Sequence, residues 1–155
     1  MNDTTSNQVQ SEMEKTLKAG EENFILHCSS FGKTNPNTLS LLAKVTEDLI
    51  YLGRYEEALV KEDELYSLRC SSLGEKHPDT IKTLESYPNI LVPLGRYDEA
   101  LEKAKKYGDL CLEVLGGRHP DYLFSLDIIS VIYTYMERYA DAMEKAGECY
   151  NLRRE

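Results

Sequence analysis

Two histidines, His77 and His119, stand in the triplet His-Pro-Asp, and four cysteines, Cys28, Cys70, Cys111 and Cys149, are spread along the chain. Imidazole, thiolate and carboxylate groups could together hold zinc or build a cysteine–histidine nucleophile. The spacing speaks against both. His77 and His119 are separated by 42 residues, and so are Cys28 and Cys70. A constant separation marks a repeat, and equivalent positions in neighbouring packed helices lie on the order of 10 Å apart. That is too far for a shared metal ion or a disulfide. No Cys-x-x-Cys pair, glycine-rich phosphate loop or Ser/His/Asp arrangement in motif context is present. The histidines are read as helix caps and the cysteines as small hydrophobes in a reduced, cytoplasmic compartment. Neither an enzyme nor a cofactor nor a metal is expected.

The chain has 155 residues, of which 41% are hydrophobic and 29% charged, as in a globular domain. Its net charge of −9 opposes binding to nucleic acid or to an anionic membrane, which need a positive face. No apolar run approaches a membrane span. Residues 1–10 are polar and are expected to be disordered or frayed.

The elements that carry these residues repeat with a period of 42. Gly32, Gly74 and Gly116 open the series, followed by Pro36, Pro78 and Pro120, then Leu42, Leu84 and Leu126. Arg54, Arg96 and Arg138 continue it, with Tyr55, Tyr97 and Tyr139, Ala58, Ala100 and Ala142, Lys61, Lys103 and Lys145, and Leu68, Leu110 and Leu152. Each repeat predicts two helices. The first is capped by Asn35, His77 or His119, with proline near its first position, where a missing N–H costs nothing. Gly53 and Gly95 can end it in the left-handed conformation. Glu137 replaces glycine in the third copy, so that turn is expected to be made differently. The second helix starts at the repeated tyrosine, with acids in its first turn. Leu17, Phe24, Leu26 and Cys28 match Leu59, Tyr66, Leu68 and Cys70 one period later, so residues 11–30 read as the second helix of a half repeat. The lysine column is either a convex ladder for acidic partners or a solvated face with nearby glutamates.

Written as LGEKHPDT…LGRYDEA, LGGRHPDY…ERYADA and FGKTNPNT…LGRYEEA, the pattern resembles the tetratricopeptide (TPR) repeats of kinesin light chains. The resemblance covers about residues 11–155. It implies an all-α fold, a right-handed α-α superhelix or TPR solenoid of seven helices. The boundaries are a half repeat at 11–30 and repeats at 31–72, 73–114 and 115–155, forming a single array. It implies first helices lining a concave groove that binds extended or helical peptides, or a scaffold subunit, and no intrinsic catalysis. In kinesin light chains first-helix asparagines clamp the peptide backbone. The matching pairs here are Ala43–Lys44, Glu85–Ser86 and Asp127–Ile128, and none is asparagine.

That alignment gives the groove candidates: Ser40, Lys44, Glu47 and Tyr51; Lys82, Glu85, Asn89 and Val92; Phe124, Asp127, Val131 and Tyr135. Carboxylates beside aromatics suit a peptide with a basic residue and an apolar anchor; an ordinary solvated face is the other reading. Pro88 and Pro93 fall inside the middle first helix. Proline removes a backbone hydrogen bond at a cost of about 3 kcal/mol and disfavours helical geometry in the residue before it. A kink or break between Glu85 and Leu94 is expected, with Val92 displaced from helical geometry. The prolines either reshape the groove or are tolerated drift offset by packing. Met143, Ala146 and Tyr150 are expected to be uncovered on the last helix, as a terminal interface for a partner or a second copy. The expected function is a non-catalytic interaction module binding a peptide or protein through the groove and the terminal helix. The alternative is a structural subunit held permanently in a larger assembly.

Overall fold

The computed structural model describes residues 3–154, and side chains from residue 8 onward. Among them are seven helices and no strand: α1 (Asp3–Phe31), α2 (Pro36–Tyr51), α3 (Tyr55–Leu73), α4 (Pro78–Leu91), α5 (Tyr97–Leu115), α6 (Pro120–Tyr135) and α7 (Tyr139–Arg154). The start of α1 takes in residues 3–10, whose polar composition suggested fraying. The chain divides into two compact units, Met1–Ser72 and Leu73–Glu155. The division falls on the seam between repeats 31–72 and 73–114.

Local chemistry sets each first helix. Asn35, His77 and His119 are N-caps in extended conformation, and their side chains accept from the N–H of Asn37, Asp79 and Asp121 at 2.9, 3.2 and 3.2 Å. Each cap satisfies one donor that the first turn leaves over. Proline follows at the start, where it gives up no bond. The second helices start differently. Arg54 and Arg96 clasp Glu57 and Glu99 with two hydrogen bonds each, at 2.5–2.7 Å, and Arg138 holds Asp141 at 2.7 Å. This explains why arginine stands before the tyrosine in all three copies.

In the first unit, Phe24, Leu39, Leu42 and Leu65 form a buried cluster, with Cys28 and Leu68 packed against it. In the second unit, Leu84, Tyr87, Ile90, Ala100, Ala104 and Cys111 are fully enclosed. Leu42, Leu84 and Leu126 are all buried, as are Ala58, Ala100 and Ala142. Residues that repeat in the sequence therefore share an environment. The lysine column does not: Lys103 lies over the Tyr87 ring at 4.4 Å, Lys61 over Phe24 at 5.8 Å, and Lys145 pairs with Glu148 at 2.7 Å.

Two local expectations need correction, and a third holds in part. The third turn is made in the same way as the others. Glu137 takes a φ of 58° where Gly53 and Gly95 take 72° and 71°. Its N–H reaches Thr134 O at 3.0 Å and the next N–H reaches Tyr133 O at 2.9 Å, matching the Gly53 turn bond for bond. Two correctly placed hydrogen bonds outweigh the side chain's aversion to that conformation. The helix α4 continues through Pro88 and ends inside the expected stretch, at Leu91, with 14 residues where α2 and α6 have 16. Burial of Tyr87, Pro88, Ile90 and Leu91 on the same helix offsets the missing bond. Finally, Val92 stays helical at φ −64° and ψ −47°, held by its N–H to Pro88 O at 3.0 Å.

Candidate peptide-binding cleft

Within the second unit, α4 and α6 flank a cleft of about 340 Å³. From α4 and the residues just after it come Pro88, Asn89, Val92 and Pro93; from α6 come Phe124, Asp127, Ile128, Val131, Ile132 and Tyr135. The α6 side is unusual in composition. Leu126, Ile129 and Ile132 are buried, yet the opposite face is also apolar: Phe124 is 46%, Val131 53% and Tyr135 55% exposed. A helix that only covers a core turns polar residues outward. The Tyr135 ring stacks on Tyr97 at 6.0 Å with a 15° interplanar angle, which fixes one wall.

Asp127 is the sole charged side chain among the residues lining the cleft. Its carboxylate accepts from Arg153 of α7 at 2.5 Å, and both groups stay near half-exposed. Such a pair contributes little to stability and opens readily. The carboxylate is thus already occupied by a guanidinium, in a contact that is easily exchanged.

Of the positions read from the sequence, Asn89, Val92, Phe124, Asp127, Val131 and Tyr135 come together here. Lys82 and Glu85 do not. They pair with each other, and Glu85 also accepts from the Tyr107 hydroxyl at 3.1 Å. Burial, together with the charge of Glu85, raises the Tyr107 phenol well above its ordinary value. Lys82 instead borders a smaller cleft with Pro78, Tyr107 and His119. In the first unit, Lys44 is tied to the buried Asp48 at 2.9 Å and to Glu47 at 3.6 Å, while Tyr51 stands exposed. On α7, Met143 is 76% exposed, and Ala146 and Tyr150 are also open to solvent.

Pro88, Pro93, Ile128 and Ile132 were not named as groove residues in the sequence reading. A signal existed for the last two: α6 carries apolar residues on its outward as well as its inward face, which a one-sided pattern search discards. The cysteines are free, and burial pushes the Cys111 thiol up to about 11, so it stays protonated at neutral pH. Among the described residues no group of three or more His, Cys, Asp or Glu could hold a metal ion, and no helix is long and apolar enough to cross a membrane.

Solved structures decide the architecture. A kinesin-light-chain-type protein of Podosopora anserina with nearly identical TPR-like repeats superposes with a TM-score of 0.81 at 15% identity, over 94% of this chain and 69% of that one. The chain has the TPR-like repeat fold. A variant of the same Podosopora anserina protein gives 0.82 at 15% identity, over 92% and 68% of the two chains. BtubC (BKLC) from P. vanneervenii gives 0.82 at 11% identity, covering 92% of this chain and 57% of its own. No family model and no curated protein sequence matches. In the TPR-like fold the cleft lies between two successive first helices.

Proposed function

We propose that the protein is a non-catalytic interaction module that binds a peptide or protein segment in the cleft between α4 and α6. The ligand seats an apolar side chain on Phe124, Val131 and Tyr135 and offers a basic residue to Asp127. The outward apolar face of α6 supports this reading more than any other observation, because nothing in the fold itself requires it. An exposed aromatic and aliphatic patch beside one carboxylate is the composition of a binding hot spot. The array in 11–155 and a cytoplasmic location with free thiols go with this function.

Selection of short random peptides displayed on phage against the full chain tests it. Selected peptides should carry an apolar anchor and a basic residue. Val131→Arg should abolish their binding without lowering the melting temperature, since Val131 is exposed. Peptides that bind Val131→Arg unchanged would place the ligand elsewhere.

A second reading, a subunit fixed in a larger assembly or paired with a second copy, is favoured by the exposure of Met143 and Tyr150 on α7. Under it the chain co-purifies with one stoichiometric partner or with itself, and Met143→Glu breaks that association.

A further inference from the structure

We infer that the ligand lies in the cleft as an extended strand, and that Pro93 creates the backbone acceptor that receives it; this rests on the cleft being the binding site. In a regular helix the N–H of residue 93 would close on the carbonyl of Asn89. Proline has no N–H to give. The corresponding residues of the other first helices are Tyr51 and Tyr135, which complete the last turns of α2 and α6. Neighbouring donors are committed: Val92 to Pro88 O, Gly95 to Val92 O and Arg96 to Leu91 O, at 2.9–3.0 Å.

Pro88 takes the donor from Leu84 in the same way, but both residues are buried, and Leu84 does not line the cleft. Asn89 and Pro93 are exposed and line it. The cleft therefore combines a main-chain carbonyl that lacks its usual helix donor, the Asn89 carboxamide, one carboxylate and an apolar wall. An acceptor of this kind discriminates between ligand conformations. A helical peptide has spent its N–H groups beyond its first turn. An extended segment presents an unpaired N–H at alternate residues, and a cationic side chain on the same segment complements Asp127.

The probe is the tightest peptide from the phage selection, made in its parent form and as a series with single backbone N-methyl groups. One N-methyl position should weaken binding to the wild-type chain by about tenfold, the scale of one lost hydrogen bond. Pro93→Ala restores the missing donor, so the parent peptide should lose a similar factor, and the N-methyl position should cost nothing further. That coupling between the two changes is the result expected. Independent effects, or a bound peptide with a helical circular dichroism signature, overturn the inference while the cleft assignment stands. Peptide binding that Val131→Arg leaves unchanged would instead remove the cleft assignment. An increased melting temperature of Pro93→Ala confirms that the variant is folded.

Discussion

Glu137 holds the same left-handed backbone conformation as Gly95 one repeat earlier, with φ of 58° against 71° and the same pair of turn hydrogen bonds. The turn is dictated by the helices on either side of it, not by the residue that occupies it. A residue with a Cβ is strained there by roughly 1–2 kcal/mol.

Glu137→Gly should therefore stabilise the protein. Relief of strain is partly offset by the extra freedom glycine gives the unfolded chain, about 0.5–1 kcal/mol. A net gain of about 0.5–1 kcal/mol is expected, read as a higher urea midpoint with an unchanged m value.

Gly108 is held to glycine by its neighbour. A Cβ there would stand 2.7 Å from Ser125 Oγ, and Ser125 is fully buried with its hydroxyl donating to Tyr122 O at 2.6 Å. Gly108→Ala gains helix propensity but incurs an overlap of about 1–3 kcal/mol, so the variant should be less stable. Adding Ser125→Ala removes the clashing atom, and the pair should be less destabilised than the sum of the two changes. Additivity in a double-mutant cycle would show that α5 and α6 separate to make room.

Burial of the Cys111 thiol links stability to alkaline pH. Its folded value of about 11 lies above the ordinary thiol value of 9.0. A thiol raised in the folded state binds its proton more tightly there than in the unfolded chain. The stability it contributes is complete below pH 9 and is lost as pH rises toward 11. Cys111→Ala should flatten the fall in urea midpoint across that window. At neutral pH, iodoacetamide should label the half-buried Cys28 and Cys70 before Cys111 and Cys149.

Pro88→Ala probes the cost of the buried proline. Restoring the bond to Leu84 O recovers up to about 3 kcal/mol. Loss of ring packing and of chain stiffness returns roughly 2 kcal/mol. A gain near 1 kcal/mol, roughly the difference of those two, is expected in denaturant melts, and a loss would mean that ring packing dominates.

The period of 42 carried most of this fold. Identical columns at Leu42, Leu84 and Leu126 are buried alike, and the His-Pro-Asp caps work as their chemistry requires. The places where the sequence misled are places where tertiary context overrules a local preference. Val92 obeys the packing around it rather than the proline rule, and Glu137 obeys its turn. Much of the cleft's lining was legible once the repeats were matched to the pattern they resemble, because side chains at equivalent positions share a face. Ion pairing was not. The Asp127–Arg153 and Lys44–Asp48 contacts depend on rotamers of long side chains, which no spacing rule specifies.

Because the seam between the compact units sits at Ser72–Leu73, where one copy of the motif gives way to the next, copy number is a quantity that duplication or deletion can change in whole steps. Cutting the gene just past that seam, in the connection between Leu73 and Pro78, leaves the α2–α3 pair and the α4–α5 pair each in one piece. A cut inside a helix, or between the two helices of one repeat, splits a hairpin. Lengthening this architecture is therefore a matter of reading frame modulo one motif, and it needs no new core to be invented.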